Sequence, residues 1–164
     1  PLGIWTRPEH AGDDYEHPLD EVDAVMRDAF EQWHPWRVYI DPQKIGGLVD
    51  TWRGRWGERR VHHWTTNRAR PMAYAVRAFR DALAGADLCH DGDELLTLHV
   101  ANARRWRTNV KDEEGRPMIL IGKDRPGSPR KMDGAVACVL AWEARGDAVA
   151  ADARPRRRGG LVFV

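Results

Sequence analysis

Ser128-Pro-Arg-Lys-Met-Asp133-Gly-Ala-Val-Ala-Cys-Val-Leu-Ala-Trp-Glu-Ala144 is the stretch from which the rest of the chain is read. It predicts a long C-terminal helix, with Ser128 at the N-cap and Pro129 at the first helical position. At helical spacing Asp133 shares a face with Val136, Ala137, Leu140 and Ala144. A carboxylate on the apolar face of a core helix is costly unless something compensates it. A divalent metal would do so; an arginine or lysine held nearby is the plainer alternative.

Upstream of this helix, Arg105 to Val110 and Met118 to Ile121 flank Asp112-Glu-Glu-Gly115 and predict a β-hairpin. Pro1 to Arg7 reads as a short strand and Gly12 to Pro18 as a loop. A helix follows, with Leu19, Val22, Val25, Met26, Ala29, Phe30 and Trp33 to one side and Asp20, Glu21 and Asp23 near its positive end. Arg37 to Ile40 is a compact strand stopped by Asp41-Pro42. A second helix carries Ile45, Leu48, Val49, Trp52 and Trp56 and ends at Gly57. Val61 to Trp64 is a further strand. Pro71 opens a third helix that closes at Gly85. Leu88 to His90 suggests a small strand, and Asp93 to Ala103 a helix. Strands alternating with helices imply an α/β layered fold, in which functional residues gather at the carboxyl ends of strands. Asp41 stands at such an end.

With 164 residues and 42% hydrophobic content, the chain can bury one real core. No apolar run reaches membrane-spanning length, so no membrane partner is expected. A net charge of +1 gives no global field for an anionic partner. Arginines nevertheless cluster at Arg53, Arg55, Arg59 and Arg60, at Arg104, Arg105 and Arg107, and at Arg154, Arg156, Arg157 and Arg158. Several alternate with Trp52, Trp56 and Trp106, a mixture that suits phosphate and base contacts, or equally a solvated helix face over buried tryptophans. Residues 153–164 read as a flexible basic tail beyond a domain over 1–152. Cys89 and Cys138 form no CxxC pair and read as reduced thiols.

Asp41 and Asp133 together could hold Mg²⁺ or Mn²⁺ through oxygen ligands. Two such ions can activate water and stabilise the leaving oxygen in phosphodiester hydrolysis. Asp41 could equally be a turn residue before proline. His90, Asp91, Asp93 and His99 form a competing cluster that would suit a metal hydrolase of another class. Asp91-Gly92-Asp93 reads more simply as a turn with Asp93 as N-cap, and His99 with Asn102 as a structural pair. His62 and His63 are adjacent on a strand and face opposite sides. Lys123 and Lys131 lie near Asp133 in sequence, as surface lysines or as groups approaching a phosphate. No GxxxxGK[ST], GxGxxG or GxSxG occurs.

Taken in order, IWTRPEH, EVDAVMRDAF, RVYIDP, WGERRV, WTTNRARPMAYAVRAFRDAL, HDGDELLTLHVANARR and KDRPGSPRKMDGAVACVLAWEARGDA resemble the C-terminal nuclease domain of tailed-phage terminase large subunits. The resemblance runs nearly end to end and is most specific around Lys131, Asp133 and Ala137. It implies a ribonuclease H-like fold, two divalent metals (Mg²⁺ or Mn²⁺) held by acidic residues, and cutting of concatemeric double-stranded DNA during genome packaging in the host cytoplasm. It implies the terminase small subunit, the portal and the ATPase domain as partners. Asp41 matches the family's second acidic residue and Asp133 its third. Arg104, Arg105, Arg107, Lys123 and Lys131 become the expected DNA contacts, through a hairpin thought to lie near DNA. The family's first aspartate lies on a strand upstream of the one that Pro1 to Arg7 resembles. An incomplete fold is therefore expected: a reduced sheet, a hairpin, a long C-terminal helix and two of the expected carboxylates. Asp13, Asp14 or a partner would supply the third. The alternative reading is a non-catalytic module that binds DNA or a packaging partner.

Overall fold

A computed structural model describes residues 1–153 apart from positions 9, 13 and 44. Asp13 and residues 154–164 of the basic tail, including Arg154, Arg156, Arg157 and Arg158, lie outside the described residues.

The apolar spacing at Val22, Met26 and Phe30 produces α1 (Leu19–Trp33), with Asp20 and Glu21 in its first turn. Then come β1 (Val38–Ile40), α2 (Gly46–Trp56) and β2 (Val61–His63). Gly57 ends α2 with a φ of 89°, a conformation a side chain would resist. Helix α3 (Ala69–Ala84) starts two residues before Pro71, whose missing N–H falls among those the first turn leaves unpaired. It is followed by α4 (Glu94–Asn102), β3 (Arg104–Lys111), β4 (Pro117–Gly122) and α5 (Asp133–Ala150).

The architecture is mixed α/β. Its described strands form two separate two-stranded sheets. β1 and β2 are parallel, with Val38 opposite Val61 and Ile40 opposite His63. β3 and β4 are antiparallel, with Arg105 opposite Ile121 and an irregularity between Arg107 and Lys111. Asp112 closes that hairpin by accepting bonds from the backbone N–H groups of Glu114 and Arg116 and from the Arg116 side chain. Two buried clusters hold the elements together. Phe30, Val49, Trp52 and Val61 join α1, α2 and β2. Met72, Ala75, Val76 and Val139 join α3 to α5, with Ile119, Leu120 and Ile121 of β4 packed against them.

Three expectations are corrected. Pro1 to Arg7 makes no strand. The Trp5 ring instead folds back over Gly3, where a Cβ would overlap it, and its indole N–H donates to Glu21 on α1. Leu88 to His90 makes no strand either; Leu88 and Cys89 line a small cleft with Phe79, Leu83 and Leu96. The C-terminal helix starts at Asp133, not at Ser128 and Pro129. The Ser128 hydroxyl is spent on the N–H of Arg130, its carbonyl accepts from Lys123, and the Lys131 carbonyl accepts from Asn102. These bonds hold residues 128–132 out of the helix, since side-chain bonds to a backbone compete with helical ones.

Candidate functional site

Asp41 and Asp133 meet in one cleft. It occupies about 930 Å³ between β1 and α5, lined by Trp36 to Asp41 and Thr66 on one side and by Asp133, Val136, Ala137, Leu140 and Ala144 on the other. Both apolar spacing and parallel pairing produce this arrangement. The C-terminal ends of β1 and β2 point the same way, so the residues following them, Asp41 and Thr66, lie side by side. The face of α5 that carries Val136, Ala137, Leu140 and Ala144 brings Asp133 to the same opening.

The two carboxylates are held very differently. Asp41 Oδ1 accepts the N–H of Gln43 at 3.1 Å, the turn role that Asp-Pro suggested. Its Oδ2 accepts the N–H of Thr66 at 3.3 Å and also the Thr66 hydroxyl. An ionised carboxylate has about four acceptor positions, so these bonds orient Asp41 and leave capacity for a cation. Asp133 is exposed in the first turn of α5 and has no hydrogen-bond or ion-pair partner among the described residues. The expected cost of burying it therefore does not arise: the later helix start places the carboxylate at the cleft mouth, where the helix dipole also favours it.

Across the cleft floor, the Tyr39 hydroxyl donates to Asp147, tying β1 to the second half of α5. Burial pushes the Tyr39 phenol above its usual range, and the bond to Asp147 adds to this. The ring of His62 lies 5.1 Å from that of Tyr39, and burial holds the His62 pKa below its ordinary value. His63 turns the other way, toward Arg53 and Asp50.

Hard carboxylate oxygens suit Mg²⁺ or Mn²⁺. In number the set falls short: among the described residues, no group of three or more His, Cys, Asp or Glu side chains could hold a metal ion. The rival cluster is spent on local structure. His90 accepts the N–H of Gly92, Asp91 that of Asp93, and Asp93 caps α4 through the N–H of Leu96. His99 is 1% exposed and accepts the N–H of Gly134.

The basic residues expected to contact DNA do not gather at the carboxylates; the arginines that line this cleft are Arg37 and Arg145. Lys131 lines a second cleft with Arg7, His99, Asn102 and Arg130, and Lys123 donates to the Ser128 carbonyl. Arg104 donates to the carbonyl of Ala101. Arg105 and Arg107 are exposed on the hairpin with no such partner among the described residues. In the cluster around Trp52 and Trp56, three arginines have partners within the fold. Arg55 pairs with Asp23 at 2.8 Å, Arg53 with Glu58 at 3.0 Å, and Arg60 covers the Phe30 ring while donating to the carbonyl of Pro35. Thr66 and the Tyr39–Asp147 tie escape a reading of the sequence. The signal for Thr66 was its place just beyond a second strand parallel to the first.

The chain is thus a mixed α/β protein with two carboxylates at the mouth of a cleft, and among its described residues no helix is long and apolar enough to cross a membrane. It is similar to the Gene 13 protein of Mycobacterium phage L5 and to the Gene 13 protein of Mycobacterium phage D29. Each is 28% identical over 174 residues, an alignment that spans 99% of this chain and 27% of the relative. The chain therefore corresponds to about a quarter of the length of these bacteriophage proteins. No family model and no solved structure matches it.

Proposed function

We propose that this chain is part of the nuclease domain of a tailed-phage terminase large subunit, working on concatemeric double-stranded DNA in the host cytoplasm with Mg²⁺ or Mn²⁺. The observation that carries this reading is the convergence of Asp41 and Asp133, distant in sequence, on a single cleft. The ordered motifs of the sequence and the bacteriophage origin of the relatives add support. In this reading Asp41, oriented by Thr66 and Gln43, and Asp133, which has no partner among the described residues, would hold the cation. A divalent ion held there would supply positive charge for the attacked phosphate and a more acidic water. The third ligand comes from a residue outside the described set or from another part of a longer polypeptide. Arg105 and Arg107 on the hairpin contact DNA phosphates, and the small subunit, portal and ATPase domain are the partners.

Nicking of supercoiled plasmid in Mn²⁺ tests this, with Asp133→Asn alongside. The expected result is cleavage by the wild type and none by the variant, with thermal stability little changed because Asp133 is exposed and loses only its interaction with the helix dipole. Equal cleavage by both proteins would remove Asp133 from the chemistry. The second reading, a non-catalytic DNA- or partner-binding module, is favoured by the lack of a third carboxylate among the described residues. Salt-dependent DNA binding, weakened by Arg105→Ala and Arg107→Ala and without cleavage in either protein, would support it.

A further inference from the structure

Helix α5 begins without a side-chain cap of its own. Its N-cap residue is Met132, whose side chain has no oxygen to offer the N–H groups of the first turn. The deficit is met from another helix: Gly134 donates its N–H to His99 Nδ1 at 3.0 Å. Three residues further along α4, and so on the same helical face, Asn102 Nδ2 donates to the Lys131 carbonyl at 2.9 Å. The two bonds bracket Asp133, one two residues before it and one immediately after.

Packing makes the arrangement specific. His99 is 1% exposed. A Cβ at Gly134 would lie 3.0 Å from His99 Nδ1 and 3.3 Å from both His99 Cβ and Leu96 Cδ1, so a side chain at position 134 would push His99 and Leu96 of α4 back by a few tenths of an ångström. For Nδ1 to accept, the neutral ring carries its proton on Nε2. With the orphan N–H satisfied by His99, the Asp133 carboxylate has no capping duty and stays available to the cleft.

We propose that His99 and Asn102 are positioning residues that fix the backbone on either side of Asp133 and so aim its carboxylate at the cation shared with Asp41. This rests on the metal-site reading above. Neither residue touches the cation or the DNA; each acts through the Lys131–Gly134 turn. Groups that orient a metal ligand from behind typically change metal affinity about tenfold or more when removed.

Proton–nitrogen NMR of the whole chain tests the proposal, reading exchange of the Gly134 amide and Mn²⁺ broadening of the Gly134 and Ala135 signals. His99→Leu removes the acceptor, whereas His99→Asn places an oxygen where Nδ1 stood. The expected result for His99→Leu is Gly134 exchange faster by about tenfold, and Mn²⁺ affinity weaker by about tenfold, with both restored in His99→Asn. Unchanged Mn²⁺ affinity in His99→Leu, or a loss that His99→Asn does not restore, would overturn it. Should His99→Leu fail to fold, Asn102→Leu at a half-buried position carries the same test through the Lys131 carbonyl, with the same weakening expected. Wild-type protein that shows no Mn²⁺ broadening at these signals overturns the metal reading by itself, while Gly134 exchange in the same samples still decides whether His99 holds the helix start.

Discussion

The packing behind Asp41 and the packing behind Asp133 are built from different side chains. Under β1 the core is aromatic. Trp52 is 2% exposed, its indole N–H donates to Asp23 at 2.7 Å, and Phe30 stacks on Trp56 with centroids 4.0 Å apart. Under α5 the core is Met72, Ala75, Val76 and Val139, where small residues let the helices approach closely. The same contrast reaches the carboxylates: Asp41 is gripped by three donors, and Asp133 by none among the described residues. Each acid is therefore positioned by its own core. Their relation to one another depends on the few contacts that join those cores, the Tyr39–Asp147 bond foremost.

The comparison is broken most severely at Trp52. Trp52→Ala should cost about 3–5 kcal/mol, from lost burial plus the cavity left behind, seen as a lower urea midpoint with little change in slope. Val139→Ala in the second core removes the equivalent of two methylenes and should cost about 2 kcal/mol. Equal losses would mean that the aromatic core carries no greater share of the stability.

Tyr39→Phe comes next, at about 1 kcal/mol for one hydrogen bond. Because the phenol pKa is raised, the neutral hydroxyl is favoured in the folded protein. Its contribution is complete below the ordinary phenol value of about 10 and is lost only as pH rises through the higher folded value. The difference between wild type and Tyr39→Phe in urea titrations should therefore stay constant from neutral to mildly alkaline pH. A difference that vanished near pH 8, roughly two units below that value, would contradict the assignment.

The smallest expected effect belongs to Asp23. The hydrogen bond from Trp52 holds its carboxyl below the usual range, burial opposes this, and Arg55 and Arg27 add to the lowering. A lowered carboxyl stabilises the fold above the ordinary value of about 3.9, and that contribution is lost as pH falls through the folded value. In Asp23→Asn, thermal melts carried into that acid range should show a shallower loss of stability than the wild type. An identical acid limb would remove Asp23 from it.

Legibility in the sequence followed the range of the interactions. Helices α1, α2, α3 and α4 and the hairpin could be read because their causes are local: apolar spacing, Asp93 as a cap, Gly57 as a stop, a polar turn between two short apolar runs. Asp41 and Asp133 could be singled out as a carboxylate ending a strand and one interrupting an apolar helical face. The errors fell where distant residues intervene. Ser128 and Pro129 look like a helix start, but bonds involving Asn102 and Lys123 hold that segment apart from α5. Leu2, Ile4 and Trp5 look like a strand, but no described strand pairs with them, and Trp5 is drawn to α1. The arginine cluster interleaved with tryptophans reads equally as a nucleic-acid surface or as a solvated face over buried tryptophans; in the structure Arg53 and Arg55 meet Asp23, Asp50 and Glu58, and Arg60 covers the Phe30 ring.

By itself, the sequence determined the order and type of most elements and the two acids worth testing, because side-chain periodicity and turn chemistry act over a few residues. Only the tertiary structure decided that those acids share a cleft, that Asp133 stands exposed in a first turn, and that Thr66, His99 and Asn102 hold the surrounding backbone. Each of these depends on hydrogen bonds between residues far apart in the chain, whose geometry exists only once the two cores have packed.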